Sequence, residues 1–292
     1  MATFEPTSFF LYRWRYVIGY SLVGVLLAGL LVFAGLFVPG GISSAEMTAV
    51  VQSDSISLTN PATWGVLSLP FYLFQKLVIT LFGVSDFSIK LPSLIIALLS
   101  AIGLILLLRR WFKPNIAVLA SLIAITTGQF LFVAQHGVPG VSYMFWPIVL
   151  LLLGTQVTRA KRFRSLWKWL FAAAAALSLY TPLSIYPIIA IILAIILHPH
   201  LRNAVRRLSK FGVAVAIIIT LILIMPLAMN IYANPSLGLS LLGIPASWPP
   251  DLLANIKTLA AQYLMFWVPS ASTPMTPVFG LGTFLLIILG LF

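Results

Sequence analysis

The sequence predicts an all-α fold, a polytopic transmembrane helical bundle, and three observations predict it. Of 292 residues, 61% are hydrophobic and 8% charged, where a soluble domain carries about 25% charged residues to cover its surface. Apolar stretches of about 20 residues, the length that crosses a bilayer as a helix, recur along the chain. The few charges are sorted by sign between alternate connecting segments. Residues 1–292 are therefore read as a single transmembrane domain of about eight spans, two of them short.

The first span is Tyr16–Val38, preceded by Arg13 and Arg15. It is longer than the ~15-residue apolar core of a signal peptide and is read as retained. Ser88–Leu108 follows, with Asp86 placed to cap its start. Asn115–Ala134 and Val141–Val157 are the third and fourth. Trp169–Tyr180 and Leu183–Leu197 lie between two basic segments, so together they cross an even number of times. Thr181-Pro182 breaks the helix between them. Each half is ~20 Å long, short of the ~30 Å hydrocarbon core. A pair of short helices buried among neighbours is expected. Phe211–Tyr232 is a full span. Gly280–Phe292 is too short and lacks a basic flank, so the chain is expected to be part of a longer protein.

Fourteen of the 17 Lys and Arg fall in four clusters: Arg13 and Arg15; Arg109, Arg110 and Lys113; Arg159, Lys161, Arg162, Arg164 and Lys168; and Arg202, Arg206, Arg207 and Lys210. The other side holds Lys76, Lys90 and Lys257 with four of the five acids, Glu46, Asp54, Asp86 and Asp251. The positive-inside rule puts the clusters and the N-terminus in the cytoplasm of a cell with a plasma membrane. Clusters between apolar spans face anionic membrane lipids rather than nucleic acid. Cysteine is absent, which excludes disulfides and thiolate chemistry.

Two non-cytoplasmic segments are long enough to hold a site. Residues 39–87 open on a Pro-Gly-Gly turn, then read as a short helix from Ala45 to about Gln52, a polar loop, and an interfacial helix Phe71–Phe82. Residues 233–279 include a helix from Leu252 to about Trp267 with Asp251 as its cap. No phosphate-binding loop, dinucleotide fingerprint, zinc-protease or serine-hydrolase motif is present. No cofactor is predicted, and His198-Pro199-His200 lacks the further ligand a metal needs.

The stretch from Ser68 to Ser93 reads SLPFYLFQKLVITLFGVSDFSIKLPS. Its Pro70-Phe71-Tyr72, Leu81-Phe82-Gly83-Val84-Ser85 and Lys90-Leu91-Pro92-Ser93 resemble the GT-C superfamily glycosyltransferases, in the branch of the protein O-mannosyltransferases and the lipid A aminoarabinose transferases. Arg109-Arg110-Trp111-Phe112 and the Pro-broken hairpin fit as well. The resemblance covers roughly residues 40–153. It implies transfer of a sugar from a polyprenyl-phosphate donor to an acceptor, whether lipid, glycan or protein, at the outer face of a bacterial inner membrane. It also implies an acid of the first outer loop as base, because the acceptor hydroxyl loses its proton as the bond forms. Cations would hold the departing phosphate. Where relatives carry an Asp-Glu pair the chain reads Ala45-Glu46, and where many carry Arg-Pro-Asp it reads Val138-Pro139-Gly140. A degenerate relative that binds lipid-linked sugar or a partner without turnover is the alternative. A transporter would place ionisable residues mid-membrane, and no span carries one there.

The candidate catalytic residues are thus Glu46 and Asp54, and the candidate substrate-binding residues Lys90, Lys76, Tyr72 and His136. Each has a plainer reading. Ser43-Ser44-Ala45-Glu46 also fits a capping box. Asp54 fits a solvated turn. Lys90 fits a lysine reaching to the interface, and Lys76 the wet face of a surface helix. His136 fits an interfacial histidine and Tyr72 an interfacial anchor.

Overall fold

A computed structural model of the chain describes residues 42–57, 60–159, 164–206, 209–244 and 251–257, with single positions between 17 and 32 and at 288–289. All regular structure among them is helical. The helices are α1 (Ser44–Ser55), α2 (Leu69–Phe82), α3 (Asp86–Leu108), α4 (Pro114–Ile125), α5 (Gly128–Gln135), α6 (Ser142–Arg159), α7 (Arg164–Ser178), α8 (Ile185–Leu197), α9 (Pro199–Arg206), α10 (Lys210–Ala233) and α11 (Pro235–Leu242).

Three helices among the described residues are long and apolar enough to cross a membrane: Asp86–Leu108, Pro139–Thr158 and Lys210–Ala233. The expected span Asn115–Ala134 is divided. α4 and α5 meet at a 63° bend, because Thr127 leaves the helix and its hydroxyl accepts from the amide of Phe130 to cap α5. The expected short pair is present as α7 and α8, turned at Thr181-Pro182, but only α7 is buried among neighbours: α8 has no buried residue. Of the first expected span, positions 17, 18, 21, 24, 25, 27–29 and 32 are described, all helical. Most of Gly280–Phe292 and of the expected helix after Leu252 lies outside the described residues. Asp251 does act as that helix's cap, accepting from the amide of Ala254 at 3.1 Å.

α3 is the axis of the bundle, with half of its span buried, and it packs against α2, α4, α5 and α6. α6 pairs with α7, and α7 with α10. α10 has 11% of its span buried and an apolar surface long enough to cross a membrane. α3 starts two residues earlier than expected. Ser85, not Asp86, is its cap, since Ser85 and Ser88 exchange side-chain and backbone bonds and leave Asp86 in the first turn.

The two ends of the bundle differ in chemistry. At one end Arg110 donates to Thr155 and Lys168 to Ser209, and the described basic clusters gather there. At the other end the loops are tied by backbone bonds. The amide of Ser68 donates to the carbonyl of Tyr180 at 2.7 Å, and that of Leu183 to Leu241 at 2.8 Å. Trp146 Nε1 donates to the Thr181 hydroxyl at 2.9 Å. Ser68 and Leu183 hold left-handed backbone at φ 58° and 63°. Non-glycine residues pay for that conformation, and it persists only where surrounding contacts enforce it. The tip of the α7–α8 hairpin therefore grips the start of α2 and fixes the platform on which residues 69–90 lie.

Candidate functional site

At the end away from the basic clusters, α1, α2, α3 and the turn after α5 converge on one polar node. Glu46 is its centre. Ser43 caps α1 and closes a capping box, so the plainer reading of Glu46 holds as local structure. Oε2 accepts from the Ser43 amide at 2.8 Å and from the Ser43 hydroxyl at 3.0 Å. The other oxygen does something a capping box does not require. Oε1 accepts from the amide of Gly137 at 2.9 Å and lies 3.8 Å from Nδ1 of His136.

Gly137 is the hinge of the arrangement. A Cβ there would sit 2.8 Å from Ile89 Cγ2 and 2.9 Å from the Ile89 carbonyl oxygen, so only glycine lets the turn approach the α3 backbone this closely. Its carbonyl accepts from Nε2 of Gln75 at 3.1 Å, and the same nitrogen donates to the Ile89 carbonyl at 3.2 Å. Gln75 is fully buried, with Oε1 unpartnered. Ser93 adds a bond to the Val138 carbonyl. The turn after α5 is thus fastened to α1, α2 and α3 at once.

Lys90 follows Ile89 and is 8% exposed. No described residue hydrogen-bonds it, and its charge acts on Glu46. Burial alone pushes the Glu46 carboxyl up. The amides of Gly137 and Ser43, the Ser43 hydroxyl and the Lys90 charge push it down further, so it sits below the ordinary carboxylate value and is ionised at neutral pH. Its side chain is 2% exposed, that of His136 29%. The His136 ring stacks edge-on against Phe132 with centroids 4.3 Å apart. Tyr72 is buried, packs edge-on against Phe71, and its phenol is pushed up by burial and by neighbouring Tyr143.

The structure separates Asp54 and Lys76 from this node. Asp54 is eight residues beyond Glu46 on α1, ~12 Å along the axis. Its side chain is 90% exposed and lies 3.9 Å from Lys76. Lys76 Nζ donates to the carbonyls of Asp54 at 2.8 Å and of Ile56, closing the C-terminal end of α1. Among the candidates, then, Glu46, Lys90 and His136 come together, and Asp54 and Lys76 form a separate tie. Among the described residues no group of three His or acidic side chains could hold a metal ion.

Sequence reasoning missed Gly137 and Tyr143, and it set Gln75 with Lys76 on the wet face of the helix, where the structure buries it completely. Gln75 carries a signal in retrospect, because an amide in the apolar run of α2 needs a buried partner. Gly137 has none beyond its position next to His136.

Residues 68–229, more than half of the chain, match the family profile described as dolichyl-phosphate-mannose-protein mannosyltransferase. The chain belongs to that family. It is accordingly a membrane glycosyltransferase of the GT-C type, with the all-α architecture described above. No curated protein and no solved structure matches it. The part shared with the mannosyltransferase family begins at Ser68, the left-handed residue that opens α2, and includes Tyr72, Lys76, Lys90 and His136. Glu46 and Asp54 precede it.

Proposed function

We propose that this mannosyltransferase-family chain moves a sugar from a polyprenyl-phosphate donor to a hydroxyl acceptor at the outer face of the plasma membrane, its N-terminus lying in the cytoplasm. The observation that carries the reading is the polar node. A buried, ionised Glu46 lies beside a partly open His136 and within the field of the Lys90 charge, at the bundle end opposite the basic clusters. Glu46 supplies the negative charge that favours removal of the acceptor's proton. Lys90 holds the phosphate as negative charge collects on it. Tyr72 is packed against Phe71 in the core, too buried for a sugar to stack on it. Asp54 and Lys76 fasten the far end of α1. Anionic lipids meet the basic clusters at the other end.

The test is transfer from lipid-phosphate-linked sugars by the full chain in lipid nanodiscs. Glu46→Gln, which keeps the shape and removes the charge, is expected to lower kcat about 100-fold. Undiminished transfer would remove Glu46 from the mechanism. A second reading, binding of lipid-linked sugar without turnover, draws on one observation: three donors already occupy the Glu46 carboxylate. Donor binding by the wild-type chain with no transfer to any acceptor would favour it.

A further inference from the structure

A carboxylate has about four lone-pair positions. On Glu46 the Ser43 amide and hydroxyl take those of Oε2, and the Gly137 amide takes one of Oε1. What remains is a single position on Oε1, the oxygen that His136 Nδ1 approaches to 3.8 Å. With the Glu46 side chain 2% exposed and that of His136 29% exposed, an acceptor meets the imidazole before it meets the carboxylate. The ring nitrogens of His136 take no hydrogen bond from any described residue.

Resting on the transferase reading above, we infer that His136 is the group that takes the proton from the acceptor hydroxyl, and that Glu46 is its positioning residue. A neutral imidazole with its proton on Nδ1, facing Oε1, leaves Nε2 as the acceptor. The Nδ1 contact closes to hydrogen-bond length by a shift of about 0.8 Å, and contacts of this kind tighten when substrate binds. In the reaction the acceptor oxygen forms its bond to the anomeric carbon and passes its proton to Nε2. The bond from that carbon to the carrier phosphate breaks, and the phosphate leaves with the electron pair beside Lys90. Glu46 stays ionised and holds the imidazolium, a division of labour seen wherever a buried carboxylate orients a histidine base. His136 and Lys90 are each linked to Glu46, the first by the 3.8 Å approach of Nδ1 to Oε1 and the second by its charge. Proton acceptor and phosphate cation thus share Glu46 as a common neighbour. Lys90 from α3 is the charged group that acts on Glu46, and Asp54 and Lys76 are engaged at the far end of α1.

The experiment has two arms on the full chain in nanodiscs. In the first, His136→Gln is expected to lower kcat by about 100-fold or more, leave KM for the lipid-linked donor little changed, and regain part of its activity with added imidazole. His136→Asn, which keeps a donor toward Glu46, must lose turnover likewise, and this guards against a folding effect. The second arm needs no turnover. The chain has three histidines, and a His198→Gln, His200→Gln background leaves His136 alone to react with diethylpyrocarbonate. Modification is expected several-fold faster with Glu46 than in Glu46→Gln, because the carboxylate raises the nucleophilicity of the ring. Wild-type kcat in His136→Gln, or equal modification rates, overturns the inference. Loss of transfer in Glu46→Gln with retention in His136→Gln overturns it while leaving the transferase reading intact. If the wild-type chain transfers nothing, that reading falls, and the modification rates alone decide the pair.

Discussion

The amide of Gly137 donates to Oε1 of Glu46 at 2.9 Å, across 91 residues of sequence. This bond turns a local helix cap into a clamp between α1 and the turn after α5. It spends the negative end of a buried carboxylate on holding two loops together, and it sets how much of that carboxylate is left for chemistry.

Gly137→Ala tests the clamp. The added methyl would lie 2.8–2.9 Å from Ile89 atoms, one of them backbone, so α3 cannot simply yield. A loss of about 1–3 kcal/mol is expected, read as a lowered unfolding temperature in detergent. Gly140→Ala is the control, since its Cβ would meet Val133 at an ordinary 3.5 Å. Equal effects of the two would dissolve the argument for close approach.

The acid stability of the chain follows from the Glu46 carboxyl lying below its ordinary value in the folded state. Folding then favours the ionised form, so this stabilisation is complete above the unfolded value and disappears as pH falls through the folded one. Unfolding temperature should drop as the medium is acidified through that range. Glu46→Gln should lose about 1–3 kcal/mol at neutral pH and show a shallower acid drop. Parallel curves for the two proteins would contradict this assignment.

Lys76→Met removes the ammonium from the carbonyls that end α1. A cation at a helix C-terminus contributes about 0.3–1 kcal/mol, and a loss of that size is expected in thermal unfolding. Asp54→Asn should change stability by less than ~0.5 kcal/mol, because its carboxylate is exposed and 3.9 Å from the lysine. A larger cost for Asp54→Asn than for Lys76→Met would reverse these roles.

Sidedness can be measured without background, since the chain has no native cysteine. Cysteines at the exposed positions Asp54 and Asp86 should react with an impermeant maleimide from one side of the membrane, and one at the exposed Lys113 from the other. Labelling of all three from one side would remove the outer-face site.

The long apolar runs made α3, α6 and α10 legible, because lipid imposes both their length and their composition. Ser43 and Glu46 were legible as a capping box for a related reason: both partners lie within one helical turn. The division of α4 from α5 had a signal that was passed over, since Thr126-Thr127-Gly128-Gln129 interrupt the apolar run and Thr127 caps the second helix. Ser85 and Asp86 are both good caps, and the choice between them rests on whether Ser88 answers. The Gly137 and Gln75 contacts depend on how α5 returns to α3, which no local pattern encodes. Lys76 and Lys90 look alike in sequence. They separate in space because one faces the end of α1 and the other faces Glu46.

The turn at Thr181 has a consequence for how such chains can vary in length. Its flanks are hooked by backbone bonds to Ser68 on one side and Leu241 on the other. The backbone bonds of the bend at Trp111–Phe112 run to Leu108 within the same segment. Insertions and deletions in related chains should therefore collect at bends of the second kind and be rare between Tyr180 and Leu183, where a single extra residue would unhook one strand of the grip and let the start of α2 drift.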